Sequence, residues 1–131
     1  MLIIKHARIF TMAENDYENG FVACNEGKIA AVGPMEDCPA TSADDQVVDA
    51  DGMVLMPGLV DPHCHVGMVE DSLGFEGDDS NEATDPVTPQ LRAIDGINPY
   101  DRAFEEARQF GVTTVVTGPG SANVIGGQFT A

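Results

Sequence analysis

Basic residues are the main shortage in this 131-residue sequence: six Lys and Arg stand against 22 Asp and Glu, for a formal net charge of −16. A surface of that sign repels a phosphate backbone and an anionic bilayer, so neither nucleic acid nor a membrane is expected as a partner. Long apolar runs are missing as well. Nothing approaches the roughly 20 residues of a membrane-spanning helix, and Met1–Lys5 lacks the charged start and apolar stretch of a secretory signal. The three cysteines, Cys24, Cys38 and Cys64, are too few and odd in number for a disulfide framework, which points to a reducing cytoplasm. What remains is 43% hydrophobic with a mean hydropathy of −0.09, a globular composition in a chain long enough to bury a core unaided.

The charge is unevenly spread. Between Lys28 and Arg92 there is no Lys or Arg, while 14 Asp and Glu fall in that window. Solvated acidic loops account for such a stretch. A salt-adapted surface, or a basic partner segment that this chain lacks, would account for it too.

Residues 1–57 read as short strands joined by turns. Residues 1–12 are rich in Ile, Leu and Phe but alternate only loosely. Phe21–Cys24 and Lys28–Val32 flank an Asn-Glu-Gly turn, the pattern of a hairpin. After a loop over Met35–Asp45 come two further strands, Gln46–Asp49 and Met53–Met56, the second stopped by Pro57-Gly58. Residues 58–131 change character. An apolar run around Leu59–Val66 suits a strand, and a long acidic, Gly- and Pro-containing segment follows to Ile97. A helix is expected from Asn98 as N-cap and Pro99 as first residue, with Tyr100, Ala103, Phe104, Ala107 and Phe110 on one apolar face and Gly111 as the stop. Val112–Thr117 is β-branched throughout, as in a central parallel strand buried on both faces. The expected fold is therefore mixed α and β: part of a small β-domain over 1–57, then an unfinished strand–helix–strand unit over 58–131.

One local motif carries metal chemistry. In His63-Cys64-His65 the two imidazoles are two residues apart, so on a strand they project to the same side while Cys64 points away. Imidazole nitrogen suits Zn, Fe, Ni or Mn, depending on the other ligands. A pair of hydrogen-bonded structural histidines has the same spacing. Cys64, with no cation near it in sequence, reads as a packed side chain rather than a nucleophile.

The surroundings of that motif add to it. Met56-Pro-Gly-Leu-Val-Asp-Pro-His-Cys-His-Val-Gly67 resembles the amidohydrolase superfamily, metal-dependent hydrolases built on a (β/α)8 barrel, at every fixed position of the P-G-[LF]-[IV]-D-x-H-x-H signature. Gly27–Gly33 and Val47–Gly58 look like strands of that family's N-terminal β-sandwich. Asn81–Pro89, Leu91–Pro99 and Pro119–Gln128 are similar to an imidazolonepropionase-related branch.

The resemblance implies His63 and His65 as ligands of a divalent ion, Zn first with Fe, Mn or Ni as alternatives, and a supporting role for Asp61. It implies hydrolysis of a C–N bond in a cyclic amide or related small metabolite by metal-activated water, within the first β/α units of an incomplete barrel. A (β/α)8 barrel takes about 250 residues and gathers its site from several strands. After His65 this sequence has no further His and no Lys, so the remaining ligands and the catalytic carboxylate are missing. The expectation is an N-terminal piece with no catalytic residue of its own, inactive alone, which either self-associates or joins a missing C-terminal segment. The alternative is a stand-alone, non-catalytic β-rich module binding a metal or a partner subunit. Such a module should have replaced Val112, Val115 and Val116 on one face with polar residues, and it has not.

The loops supply weaker candidates. Glu70, Asp71, Glu76, Asp78, Asp79, Glu82 and Asp85 crowd the loop after the first barrel strand, where substrate contact and simple solvation are both open. Arg92 could anchor a substrate carboxylate or neutralise its neighbours, and Ser121 or Asn123 could bind substrate.

Overall fold

The computed structural model describes residues 1–70 and 73–131, so Asp71 of the acidic loop lies outside the described residues. The fold is mixed α and β, mostly strands with few helices. It forms two compact units, Met1–Pro57 and Gly58–Ala131. No helix among the described residues is long and apolar enough to cross a membrane.

The first unit is one sheet. Strands β1 (Leu2–Ile9), β2 (Tyr17–Asn25) and β3 (Lys28–Pro34) pair antiparallel, while β4 (Gln46–Asp49) and β5 (Val54–Leu55) share the other edge of β1 in parallel. The β2–β3 turn places Glu26 at φ 51° and Gly27 at φ 73°, the two left-handed residues that a two-residue hairpin requires. The loose alternation of β1 has a physical cause. His6 takes φ 54° and the pairing register with β2 shifts between Ile4 and Ala7, so one extra residue is inserted. Ile3 packs with Phe21 and Ala23 on one face. Beyond the bulge Ala7 and Ile9 join Val22 and Ala50 on the other face, alongside Ile4. The bulge reverses the side-chain phase, and β1 thereby serves both faces. On its outer edge the Ala50–Met53 turn sits opposite the same residue, with Gly52 N–H donating to the His6 carbonyl at 2.8 Å. Within this unit no second sheet packs on the first, and Ile29 of β3 remains 69% exposed.

The second unit pairs β6 (Leu59–Cys64) with β7 (Val112–Thr117) in parallel, and the helix α2 (Arg102–Gln109) packs on β7 in the connection between them. Two expectations need correction here. The helix starts three residues later than its sequence suggests: Asp101, not Asn98, is the cap, its Oδ1 accepting from Ala103 N–H at 2.9 Å. Asn98 Oδ1 instead accepts from Tyr100 N–H at 3.0 Å in a local turn ahead of the helix, and Tyr100 there and Phe110 at the C-cap are both largely exposed rather than on a packed face. Strand β7 is not buried on both faces: Thr113 and Thr114 are exposed and Val112, Val115 and Val116 only half-buried, in a sheet of two strands among the described residues.

The long segment after β6 is mostly loop among the described residues, as expected. It holds a 3₁₀ turn at Gly74–Gly77 and a one-turn helix, α1 (Ala93–Gly96). It is also laced to the Gly-rich loop after β7. Gly120 N–H donates to the Ser80 carbonyl at 2.7 Å, Thr88 N–H to Ile125 at 2.8 Å, Gln128 N–H to Leu91 at 2.9 Å and Ala93 N–H to Gln128 at 2.9 Å. Neither loop shows helical or strand periodicity, because each satisfies its backbone on the other.

Candidate metal centre

The β6–β7 register builds the site. Cys64 lies opposite Thr117, and Gly118 N–H donates to the Cys64 carbonyl at 3.2 Å. His65, one residue past the end of β6, is thereby set beside Gly118, and its Nδ1 lies 2.7 Å from the Gly118 carbonyl. A carbonyl only accepts, so Nδ1 carries the proton and Nε2 keeps its lone pair. Just beyond, the Thr117 hydroxyl donates to the Val66 carbonyl at 2.8 Å, fixing the backbone as it leaves the strand.

His63 is exposed and His65 half-buried, with ring centroids 5.4 Å apart in an edge-to-face arrangement. Two imidazoles sharing one ion at Zn–N of about 2.0–2.1 Å must have centroids within roughly 6.5 Å, and the observed separation lies inside that limit. Asp61 does not point its carboxylate into a hydrogen bond with either ring. Its Oδ1 accepts from the His63 backbone N–H at 3.1 Å and pins the turn of chain across Pro62. Among the described residues no group of three His, Cys, Asp or Glu gathers into a complete ligand set.

Two of the other candidates, Arg92 and Asn123, are spent on their neighbours. Arg92 gives both faces of its fork to Asp95, Nε and Nη2 each at 2.9 Å, which raises the guanidinium pKa further. The pair borders a cleft of about 370 Å³ that Asp79, Glu82 and Pro119 also line. Asn123 uses its amide nitrogen on the Glu82 and Asp85 carbonyls at 2.8 and 3.1 Å, holding two loops together, while its buried Oδ1 has no partner among the described residues. Ser121 is exposed.

The acidic loop is largely self-satisfied. The Asp78 carboxylate is held below its ordinary range by the Ser80 hydroxyl and backbone N–H. Glu82 is held down by the Thr84 backbone N–H and hydroxyl. Two contributors escaped the sequence reading. The Gly118 carbonyl could have been inferred from the strand-ending Gly-Pro-Gly beside the His-x-His strand. Phe129, whose ring lies 5.1 Å from that of His63, left no local signal at all.

No protein-family model matches the chain. Among curated proteins it is similar to Amidohydrolase tasK of Hapsidospora irregularis, 40% identical over 110 residues, 83% of this chain and 11% of that protein. It is also similar to a 5-methylthioadenosine/S-adenosylhomocysteine deaminase of Desulforudis audaxviator, 42% identical over 67 residues, and to an imidazolonepropionase of Haloarcula marismortui, 44% identical over 70 residues. These matches cover 51% and 50% of this chain and 15% of each of those two proteins. The crystal structure of an amidohydrolase from Thermotoga maritima superposes with a TM-score of 0.88 at 42% identity, over 99% of this chain and 33% of that one. The chain thus spans about a third of the solved relative and less than a fifth of these curated ones. By sequence and fold together, the chain is similar to part of proteins named amidohydrolase, imidazolonepropionase and deaminase.

Proposed function

We propose that the chain serves as the N-terminal part of a metal-dependent hydrolase of C–N bonds, with His63 and His65 as two of the ion's ligands. One observation carries the reading: two imidazoles within sharing distance at the C-terminal end of a parallel strand, one of them locked with Nε2 free. In a (β/α)8 barrel that end is the catalytic face. In this reading β6 and β7 are the first two barrel strands over 58–131, and the sheet of 1–57 is one layer of a β-sandwich. Relatives named amidohydrolase and deaminase support C–N hydrolysis, and those named imidazolonepropionase favour a cyclic amide or related small metabolite as substrate. Three free cysteines suit a reducing, cytoplasmic setting.

Zn is the ion that paired imidazoles favour, with Fe, Mn and Ni also served by them. When bound, a divalent ion supplies Lewis acidity that polarises the scissile group and makes water nucleophilic near neutral pH. His65 offers Nε2 because Nδ1 is committed to Gly118, and Asp61 holds the His63 backbone in place. Arg92 and Asn123 shape the loops around the site through Asp95 and the Glu82–Asp85 carbonyls, which leaves Ser121 as the uncommitted polar side chain for substrate. Two imidazoles do not complete a catalytic site, so this chain alone binds the ion weakly and does not turn over. Among the described residues β6 pairs with β7 alone, and its other edge is a surface for further strands or a second copy.

Equilibrium dialysis against Zn²⁺ tests the reading. The chain should retain one Zn²⁺ that His63→Ala and His65→Ala each abolish and that His6→Ala leaves in place. Retention unaffected by either of the first two substitutions would overturn it.

A further inference from the structure

The two imidazoles are held by different means, and the difference defines a role for the segment after β7. His65 is fixed by a hydrogen bond to Gly118. The His63 ring, exposed and with no hydrogen bond of its own among the described residues, has only ring neighbours: His65 at 80° to it and Phe129 tilted at 36° with centroids 5.1 Å apart. Resting on the reading of His63 and His65 as metal ligands, we propose that Phe129 is a positioning residue that orders the His63 imidazole before an ion arrives.

Three features hold Phe129 there. Thr117 and Thr130 exchange reciprocal backbone hydrogen bonds at 2.9 Å, fastening the segment to the end of β7. Gln128 donates to Leu91 and accepts from Ala93, both at 2.9 Å, fastening it to the long loop. The ring then occupies the space beside Gly118 that any Cβ at that position would fill. Gly118 therefore acts twice: its carbonyl selects the tautomer of His65, and its missing side chain admits the ring that braces His63. A free imidazole at an exposed position samples several rotamers, and every one lost on metal binding weakens the site. An aromatic brace removes most of that loss in advance.

The test uses the whole chain with ¹⁵N-labelled imidazoles and Zn²⁺ as the only ligand. Without metal, His65 should show the Nδ1–H tautomer, and His63 a single ordered ring. Phe129→Ala should weaken Zn²⁺ binding about tenfold, in the range of other ligand-orienting contacts, and average the His63 ring signals. The His65 tautomer should be unchanged. Phe129→Tyr keeps the ring and should restore both readouts, and Gly118→Ala should reproduce the loss by displacing the ring. Phe129→Leu tests the same point should the alanine variant fold poorly: an apolar contact without a ring plane should recover stability but not the ordered His63 signals. Zn²⁺ binding by Phe129→Ala equal to wild type, with the His63 ring signals still ordered, would overturn the proposal and leave the metal reading intact, whereas a wild-type His65 in the Nε2–H form would count against the metal reading itself. Failure of Zn²⁺ to shift either imidazole in the wild type would overturn the metal reading, and the brace with it.

Discussion

Asp45 shows how much a single side chain does in this acid-rich chain. Its Oδ1 accepts from the Met1 α-ammonium at 2.7 Å, and its Oδ2 from the Ser42 backbone and hydroxyl at 2.8 and 3.0 Å. The ammonium, then the Ser42 donors, hold its pKa down to about 2 from an ordinary 3.8. A carboxyl depressed in the folded state adds stability that is fully present above its unfolded pKa and is lost as pH falls through the folded one. Asp45→Asn should therefore lower the urea midpoint by a constant amount from pH 7 to about 5. The gap to wild type should then close as pH drops through 4 toward 2. A gap that stays constant down to pH 2 would show that the loss is one of packing rather than charge. At this scale the sequence reveals spacing and little else. His63 and His65 were legible because a strand's two-residue period places them together. Phe129 was not, because its place beside His63 comes from backbone bonds to Thr117 and Leu91, residues 12 and 38 positions earlier in the chain.

Among the elements, α2 shows where local rules compete. Asn98-Pro99 satisfies the preferences for a helix start, but Asp101 satisfies two demands at once. Its Oδ1 caps Ala103, and its Oδ2 accepts from Gly67 N–H at 3.2 Å, joining the helix to the exit of β6. Gly67, at φ 84°, is packed so closely by Phe104 that a Cβ there would lie 2.8 Å from the ring. The cap is thus also the hinge pin between the helix and the strand that carries the histidines. Asp101→Ala should cost about 1 kcal/mol for the cap and about 1 kcal/mol more for the Gly67 bond. Asp101→Asn keeps a capping oxygen and should cost less than half of that sum. Amide exchange across Ala103–Gln109 in the two variants checks the order; equal protection in both would remove Asp101 from the role. The β2–β3 hairpin was legible because Glu26-Gly27 states its own turn chemistry. The His6 bulge was not, because it answers to the partner strands β4 and β5 rather than to neighbours in sequence.

For the molecule as a whole, the governing quantity is the charge of −16, and the structure does little to neutralise it. The side-chain ion pairs of the four arginines among the described residues are Arg8–Glu18, Arg92–Asp95 and Arg102–Glu106, all substantially exposed. Such pairs contribute little, so the balance of surface electrostatics is repulsion among carboxylates. Repulsion of that kind is long-ranged and screened by salt: the Debye length falls from about 30 Å at 0.01 M to about 10 Å at 0.1 M and about 3 Å at 1 M. The melting temperature should therefore rise by several degrees between 10 mM and 0.5 M NaCl. The rise should be steepest below 0.1 M, where the screening length passes through the spacing of neighbouring acids, and KCl should reproduce it, since screening depends on ionic strength and not on which cation supplies it. A protein held by its surface ion pairs would lose stability over the same range, so the sign of the slope decides between the two. A rise that appeared only with divalent salts would instead locate the effect in a specific site, and the imidazole pair at the end of β6 would be the first place to look.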